Sequence, residues 1–119
     1  METMLKERID ILLQGQVISP EVAEYSMKVI DLLADGNYDE AKMEMFTTHL
    51  AMATERVKKN EPVESLDDSI WQQISTDRCY DKAANIFDKI VSICPVVYPE
   101  GERKFLMMHL CSLLQDKED

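Results

Sequence analysis

The sequence predicts an all-α fold, on three observations. Three Gly and four Pro punctuate 119 residues, and they fall where apolar periodicities stop. Between them, apolar residues recur at three- and four-residue steps, the spacing of one helix face. No segment shows the two-residue alternation of a half-buried strand. A chain of this length fits one domain and buries roughly two-thirds of the surface its unfolded form exposes, so no disulfide or metal staple is required. The expected architecture is a compact bundle of five core helices plus an N-terminal helix.

The N-terminal helix, over residues 2–13, aligns Leu5, Ile9, Leu12 and Leu13 and stops before Gly15. Ser19 followed by Pro20 reads as an N-cap with proline at the first helical position, where its missing N–H costs nothing. Val22, Tyr25, Val29, Leu32 and Leu33 form the stripe of that second helix, and Gly36 suits a left-handed C-cap. Asn37 with Glu40 three residues on reads as a capping box for a long third helix. Its seam is Met43, Phe46, Leu50, Ala53 and Val57, and Asn60, Glu61 and Pro62 break it.

A short helix over residues 65–74 carries Leu66, Ile70, Trp71 and Ile74. Another, over residues 77–93, turns Ala83, Ala84, Phe87, Ile90 and Val91 inward. After Pro95 and a turn at Pro99, Glu100 and Gly101, the last helix ends near Gln115 with Phe105, Leu106, His109, Leu110 and Leu113 on one stripe. The expected organisation is an N-terminal helix and linker over residues 1–19, the bundle over residues 20–115, and a charged tail over residues 116–119.

Charge narrows the partners. The chain holds 23 acidic and 13 basic residues, a net −10. That field repels nucleic acid, so no direct nucleic-acid binding is expected. The acidic residues are dispersed, which reads first as solvated helix faces and second as a docking surface for a basic protein. Cys79, Cys94 and Cys111 have no CxxC spacing and are odd in number, which points to a reducing compartment. The start of the chain has no basic-then-apolar leader pattern, and the uncharged run over residues 90–99 is short and interrupted by Pro95. The expectation is a cytoplasmic protein that does not enter a membrane. The eight Met residues read mainly as core filler.

The two histidines are the most informative residues. His49 lies mid-helix beside the packing seam, on the side shared by Met45, Met52 and Arg56. His109 lies within the apolar stripe of the last helix. A histidine in such a place is more often a hydrogen-bonded structural residue than a reactive one. Both, however, are placed alike: one per helix, half-buried, each with a charged residue seven positions away, Arg56 and Glu102. Two histidines with Glu55 or Glu102 raise the option of a metal. The histidines are far apart in sequence and lack i, i+3 or i, i+4 ligand spacing, so neither a metal nor another cofactor is expected. The cysteines read as core or boundary residues, Trp71 as an anchor for a short helix, and the chain has no glycine-rich phosphate loop.

These residues carry a resemblance. The run Phe46-Thr47-Thr48-His49-Leu50-Ala51-Met52-Ala53-Thr54-Glu55-Arg56 resembles the first histidine motif of the phosphotransferase-system regulation domain (PRD), with an arginine seven residues after the histidine. Thr48 stands where the family often has an acidic residue. The run Tyr98-Pro99-Glu100-Gly101-Glu102-Arg103-Lys104-Phe105-Leu106-Met107-Met108-His109-Leu110 resembles the second motif, and Tyr80-Asp81-Lys82-Ala83-Ala84 resembles the start of the family's fourth helix. The resemblance covers residues 20–115. It implies a five-helix bundle that dimerises and is not an enzyme. His49 and His109 would take phosphate from the histidine phosphocarrier protein or a sugar-specific phosphotransferase component, with Arg56 and Glu102 in support. The output would pass to transcription or transport, through a regulator acting in trans. The competing expectation is a helical interaction adaptor without phosphorylation; a small enzyme or metal protein is a third class.

Overall fold

A computed structural model describes residues 2–62 and 65–115. It shows six α-helices: α1 (Glu2–Gln14), α2 (Pro20–Leu33), α3 (Glu40–Lys58), α4 (Asp68–Ser75), α5 (Tyr80–Ser92) and α6 (Glu100–Gln115), with a 3-10 turn at Ala34–Gly36. No strand occurs among the described residues, and the fold is all-α. The charged tail over residues 116–119 lies outside them.

Helices α3 and α6 are the centre. They pack on each other; α1 and α2 cover one side of α3, and α4 and α5 pack on α6. Of the third-helix seam, Met43, Phe46, Leu50 and Ala53 are buried, and Val57 is only partly buried, packed against the core. Leu106, Leu110 and Leu113 of α6 are buried with them. Leu5 and Ile9 carry α1 into the same core. Removing a buried ring such as Phe46 from an interior of this density typically costs about 3–5 kcal/mol. Leu32, Ile70 and Val91, expected inward, are exposed.

Several caps differ from expectation. The left-handed residue after α2 is Asn37, φ 53°, not Gly36. Gly36 is needed for another reason: a Cβ there would run into the Tyr38 ring. Asp39, rather than Asn37, caps α3, its carboxylate accepting from the Lys42 backbone N–H at 3.0 Å. Ser19 makes no side-chain cap bond. Its backbone N–H instead donates to Glu55 Oε1 at 2.8 Å, and its hydroxyl accepts from Lys58 Nζ at 2.9 Å, so α3 closes the start of α2. Helix α4 begins at Asp68 rather than residue 65, and α5 at Tyr80 rather than residue 77. Asp77 Oδ1 holds the Cys79 N–H at 2.8 Å in a turn just before α5. Glu100 and Gly101 are already helical; Pro99 supplies the first carbonyl, accepting from the Arg103 N–H at 3.0 Å.

No disulfide joins the cysteines among the described residues; Cys79 and Cys111 are buried, and burial pushes the Cys111 thiol up to about 11. Such a thiol is a packing group, not a nucleophile. Met43 and Met107 are core residues, and Met27 and Met108 pack against it, whereas Met4, Met45 and Met52 are exposed. Trp71 lies edge-on to Tyr80, ring centroids 6.0 Å apart, beneath Lys104 Nζ. No helix among the described residues is long and apolar enough to cross a membrane.

Candidate functional site

The α3–α6 seam brings together all four residues singled out by spacing. Seven residues is two helical turns, so Arg56 lies on the His49 face of α3 and Glu102 on the His109 face of α6. Packing the two faces together places the imidazole of His49 against that of His109, ring centroids 4.8 Å apart and tilted by 40°. Phe105, one turn before His109, stacks on His49 at 4.5 Å and 11°. Phe105 is thus a platform for an imidazole rather than only a stripe residue, a role that depends on the opposite helix and has no signature in α6 alone.

Glu102 lies beneath the rings with no exposed surface. Its Oε1 is 3.8 Å from His49 Nε2 and its Oε2 is 3.8 Å from Arg56 Nη2. These separations exceed hydrogen-bond distance, and neither carboxylate oxygen has a hydrogen-bond partner among the described residues. A buried carboxylate is tolerated when cationic groups face it, and Arg56 is that group here. Nε2 of both imidazoles is also covered. Burial, and then the neighbouring His49, lower the His109 pKa to about 4 despite the opposing pull of Glu102. His109 is therefore a neutral imidazole at pH 7. No group of three His, Cys, Asp or Glu residues is placed to hold a metal ion among the described residues.

On the solvent side, His49 opens onto a groove of about 530 Å³ between α1 and α3, lined by Arg8, Glu44, Thr48, Met52 and Arg56 among others. Arg8 was not singled out by sequence spacing. It reaches across from α1, its Nη1 paired with Glu44 and its Nε donating to Thr48 Oγ1 at 2.9 Å. The groove thus carries a guanidinium near each end of the His49 turn. The one signal available in sequence was Thr48, a hydroxyl where an acidic residue was expected.

A separate polar network holds the end of α3 to the segment before α6. The Tyr98 hydroxyl lies 2.9 Å from the Tyr25 hydroxyl and 2.6 Å from Thr54 Oγ1, all buried, and Thr54 Oγ1 also donates to the Leu50 carbonyl at 2.7 Å. It anchors the approach to Glu102, four residues on.

Fold and site together define a small helical module with a charged centre on its central seam. The chain matches the family model of the PRD domain over residues 25–113, and it belongs to that family of phosphotransferase-related regulatory domains. The family is regulatory rather than catalytic, and its members interact with components of the phosphotransferase system. No curated protein and no solved structure matches the chain. The matched region contains His49, His109, Arg56 and Glu102 but not Arg8.

Proposed function

We propose that this chain is a phosphorylation-responsive regulatory domain whose acceptors are His49 and His109. The observation that carries the reading is the meeting of the two imidazoles over one buried carboxylate, beside a groove lined by Arg8 and Arg56. A neutral imidazole is a competent nucleophile near pH 7, and the depressed pKa keeps His109 in that form. Because Nε2 of each ring is covered, transfer to that atom starts with the ring turning out of the seam. The donor is the histidine phosphocarrier protein or a sugar-specific phosphotransferase component. The new N–P bond forms as the donor's bond to phosphorus breaks, the acceptor ring gives up its N–H proton to solvent, and the donor side chain departs as the leaving group, taking up a proton where it is an imidazole.

A phosphoryl group adds nearly two negative charges and strong acceptor oxygens. On His49 it meets the guanidinium groups of Arg8 and Arg56, which form charge-assisted bonds with it and leave Glu44 and Glu102 without their present partners. The resulting rearrangement acts on a homodimer formed on the exposed α3 face, where Met45 and Met52 flank His49; output passes to a partner that controls transcription or transport. Methionines suit such a surface because they repack cheaply. Tightening is expected where the phosphoryl group meets the arginines, loosening where it meets the partner's acidic residues.

The test is incubation with the charged histidine phosphocarrier protein and with sugar-specific donor components, followed by mapping of acid-labile phosphate on wild type, His49→Ala and His109→Ala. Label on either histidine supports the reading. No label with any donor leaves the exposed methionine face as the functional feature and favours an adaptor that works without phosphorylation.

A further inference from the structure

We infer that the cleft between α4, α5 and the start of α6 is a binding site for a free aromatic amino acid, which places its ring inside and its ammonium and carboxylate at the mouth. This site is separate from the histidine seam and does not depend on phosphorylation.

The cleft follows from the length of α4. That helix has only eight residues; it packs on α6, as α5 does, and a space of about 250 Å³ is left among the three. Its apolar lining is Trp71, Tyr80, Phe87 and Met107. Phe87 and Met107 are buried, and Trp71 meets Tyr80 edge-on at 6.0 Å. Pockets for drug-sized molecules run to roughly 300–1,000 Å³, so this one suits a molecule with a single ring. Three aromatic side chains offer such a ring both faces and edges, the arrangements in which aromatic groups attract beyond their buried area.

The charges at the mouth define the rest of the ligand. Lys104 and Glu100 satisfy each other at 3.0 Å, with Lys104 Nζ 5.4 Å over the Trp71 ring. Asp88 of α5 and Arg103 of α6 line the same mouth. Neither forms an ion pair among the described residues, with the other or with any third group. The Arg103 guanidinium lies 5.7 Å over the Phe87 ring, which holds it beside the apolar interior. An acid and a base left apart over an aromatic floor complement a zwitterion: its carboxylate meets the guanidinium fork and its ammonium meets Asp88. A ligand with one charge would leave one of the two residues unserved. In an aromatic amino acid both charges sit on one carbon, a single methylene from the ring, so they stay at the mouth when the ring goes in.

The cleft and the histidine seam share a helix but no residue. At 3.6 residues per turn, Glu100, Arg103, Lys104 and Met107 fall on one face of α6, and Glu102, Phe105 and His109 on the opposite one. Ligand binding can therefore be measured without altering either histidine.

The experiment titrates L-phenylalanine into the full chain. Binding is read from the emission of Trp71, the chain's single tryptophan, and from amide chemical shifts in α4, α5 and α6. The expected result is saturable binding with a Kd of roughly 0.1–1 mM, the range for a ligand of about a dozen heavy atoms. Leucine, which keeps both charges but has no ring, should bind roughly three- to tenfold more weakly. N-acetylphenylalanine lacks the ammonium and resembles the C-terminus of a peptide; phenylalanine amide lacks the carboxylate and resembles an N-terminus. Each should bind roughly five- to twentyfold more weakly than the free amino acid. Asp88→Ala and Arg103→Ala should weaken phenylalanine by the same factor. Both residues are exposed, so the variants should keep the fold, checked by circular dichroism. Asp88→Ala should leave the affinity for N-acetylphenylalanine unchanged, because that ligand has no ammonium to lose. No saturable change with phenylalanine on folded wild type would overturn the inference. So would leucine binding as tightly as phenylalanine, which removes the aromatic selectivity, or either blocked form binding as tightly, which removes the zwitterion.

Discussion

Glu102 Oε1 lies 3.8 Å from His49 Nε2, and the other oxygen of that carboxylate lies 3.8 Å from Arg56 Nη2. One fully buried acid on α6 therefore serves two residues of α3. Removing it with Glu102→Ala leaves Arg56 facing an apolar gap, and breaking a buried pair costs about 3–5 kcal/mol. Arg56 is a quarter exposed and can turn to water, so the expected loss is smaller, about 2–3 kcal/mol in urea unfolding. Glu102→Gln should cost less, because it keeps the volume. A Glu102→Ala variant within 0.5 kcal/mol of wild type would show that the carboxylate does not hold the seam.

His109 sets a pH dependence. Burial lowers its pKa to about 4 in the folded chain, against 6.5 for an ordinary imidazole. Between those values the unfolded chain binds a proton that the folded chain does not, so stability rises with pH. The contribution is fully present above pH 6.5 and is lost as pH falls toward 4. The ring is only partly covered, so after allowance for solvent screening the amount is about 1–2 kcal/mol. His109→Gln should flatten the difference between unfolding midpoints at pH 7 and pH 5. An unchanged difference would place the acid sensitivity elsewhere.

The Tyr98 hydroxyl joins Tyr25 and Thr54 in a buried network. Tyr98→Phe leaves two buried hydroxyls short of a partner, which costs about 1–3 kcal/mol. Burial also pushes both phenols up, well beyond the ordinary tyrosine range. In an alkaline titration followed by tyrosinate absorbance, Tyr25 and Tyr98 should therefore ionise only as the chain unfolds. Early ionisation of all tyrosines would contradict the network.

Much of this was legible in the chain itself. The α3 seam, the helix order and the placement of both histidines follow from periodicity, because apolar spacing reports which face a helix buries. The partnership of Arg56 with Glu102 was half legible: each stands seven residues from its own histidine, but only the packing of α3 on α6 shows that the two charges meet. Arg8 was not legible, since a lone arginine on an exposed helix face looks the same whether or not it reaches a neighbour. The Asn37 and Asp39 roles were misassigned for a local reason. Asn, Asp and Gly all suit helix ends, and sequence alone does not decide between adjacent candidates. Tyr98 joins residues from distant parts of the chain, and no local pattern encodes that.

Arg8 separates stability from signalling. Its contacts with Glu44 and Thr48 are largely exposed, so Arg8→Ala should change stability by no more than about 0.5 kcal/mol. If the guanidinium receives a phosphoryl group on His49, the same variant should shorten the lifetime of that phosphohistidine by roughly two- to fivefold, the worth of one half-exposed charge-assisted bond. Unchanged lifetimes would confine phosphate recognition to Arg56.

The most direct measurement of the central claim is the amount of acid-labile phosphate on the intact chain after reaction with the charged histidine phosphocarrier protein and sugar-specific donors, set against the same reaction on the His49→Ala/His109→Ala double variant. The account predicts stable label on wild type, mapped to His49 or His109, and none on the folded double variant. Absence of label on wild type with every donor, or equal label on the double variant, would contradict it.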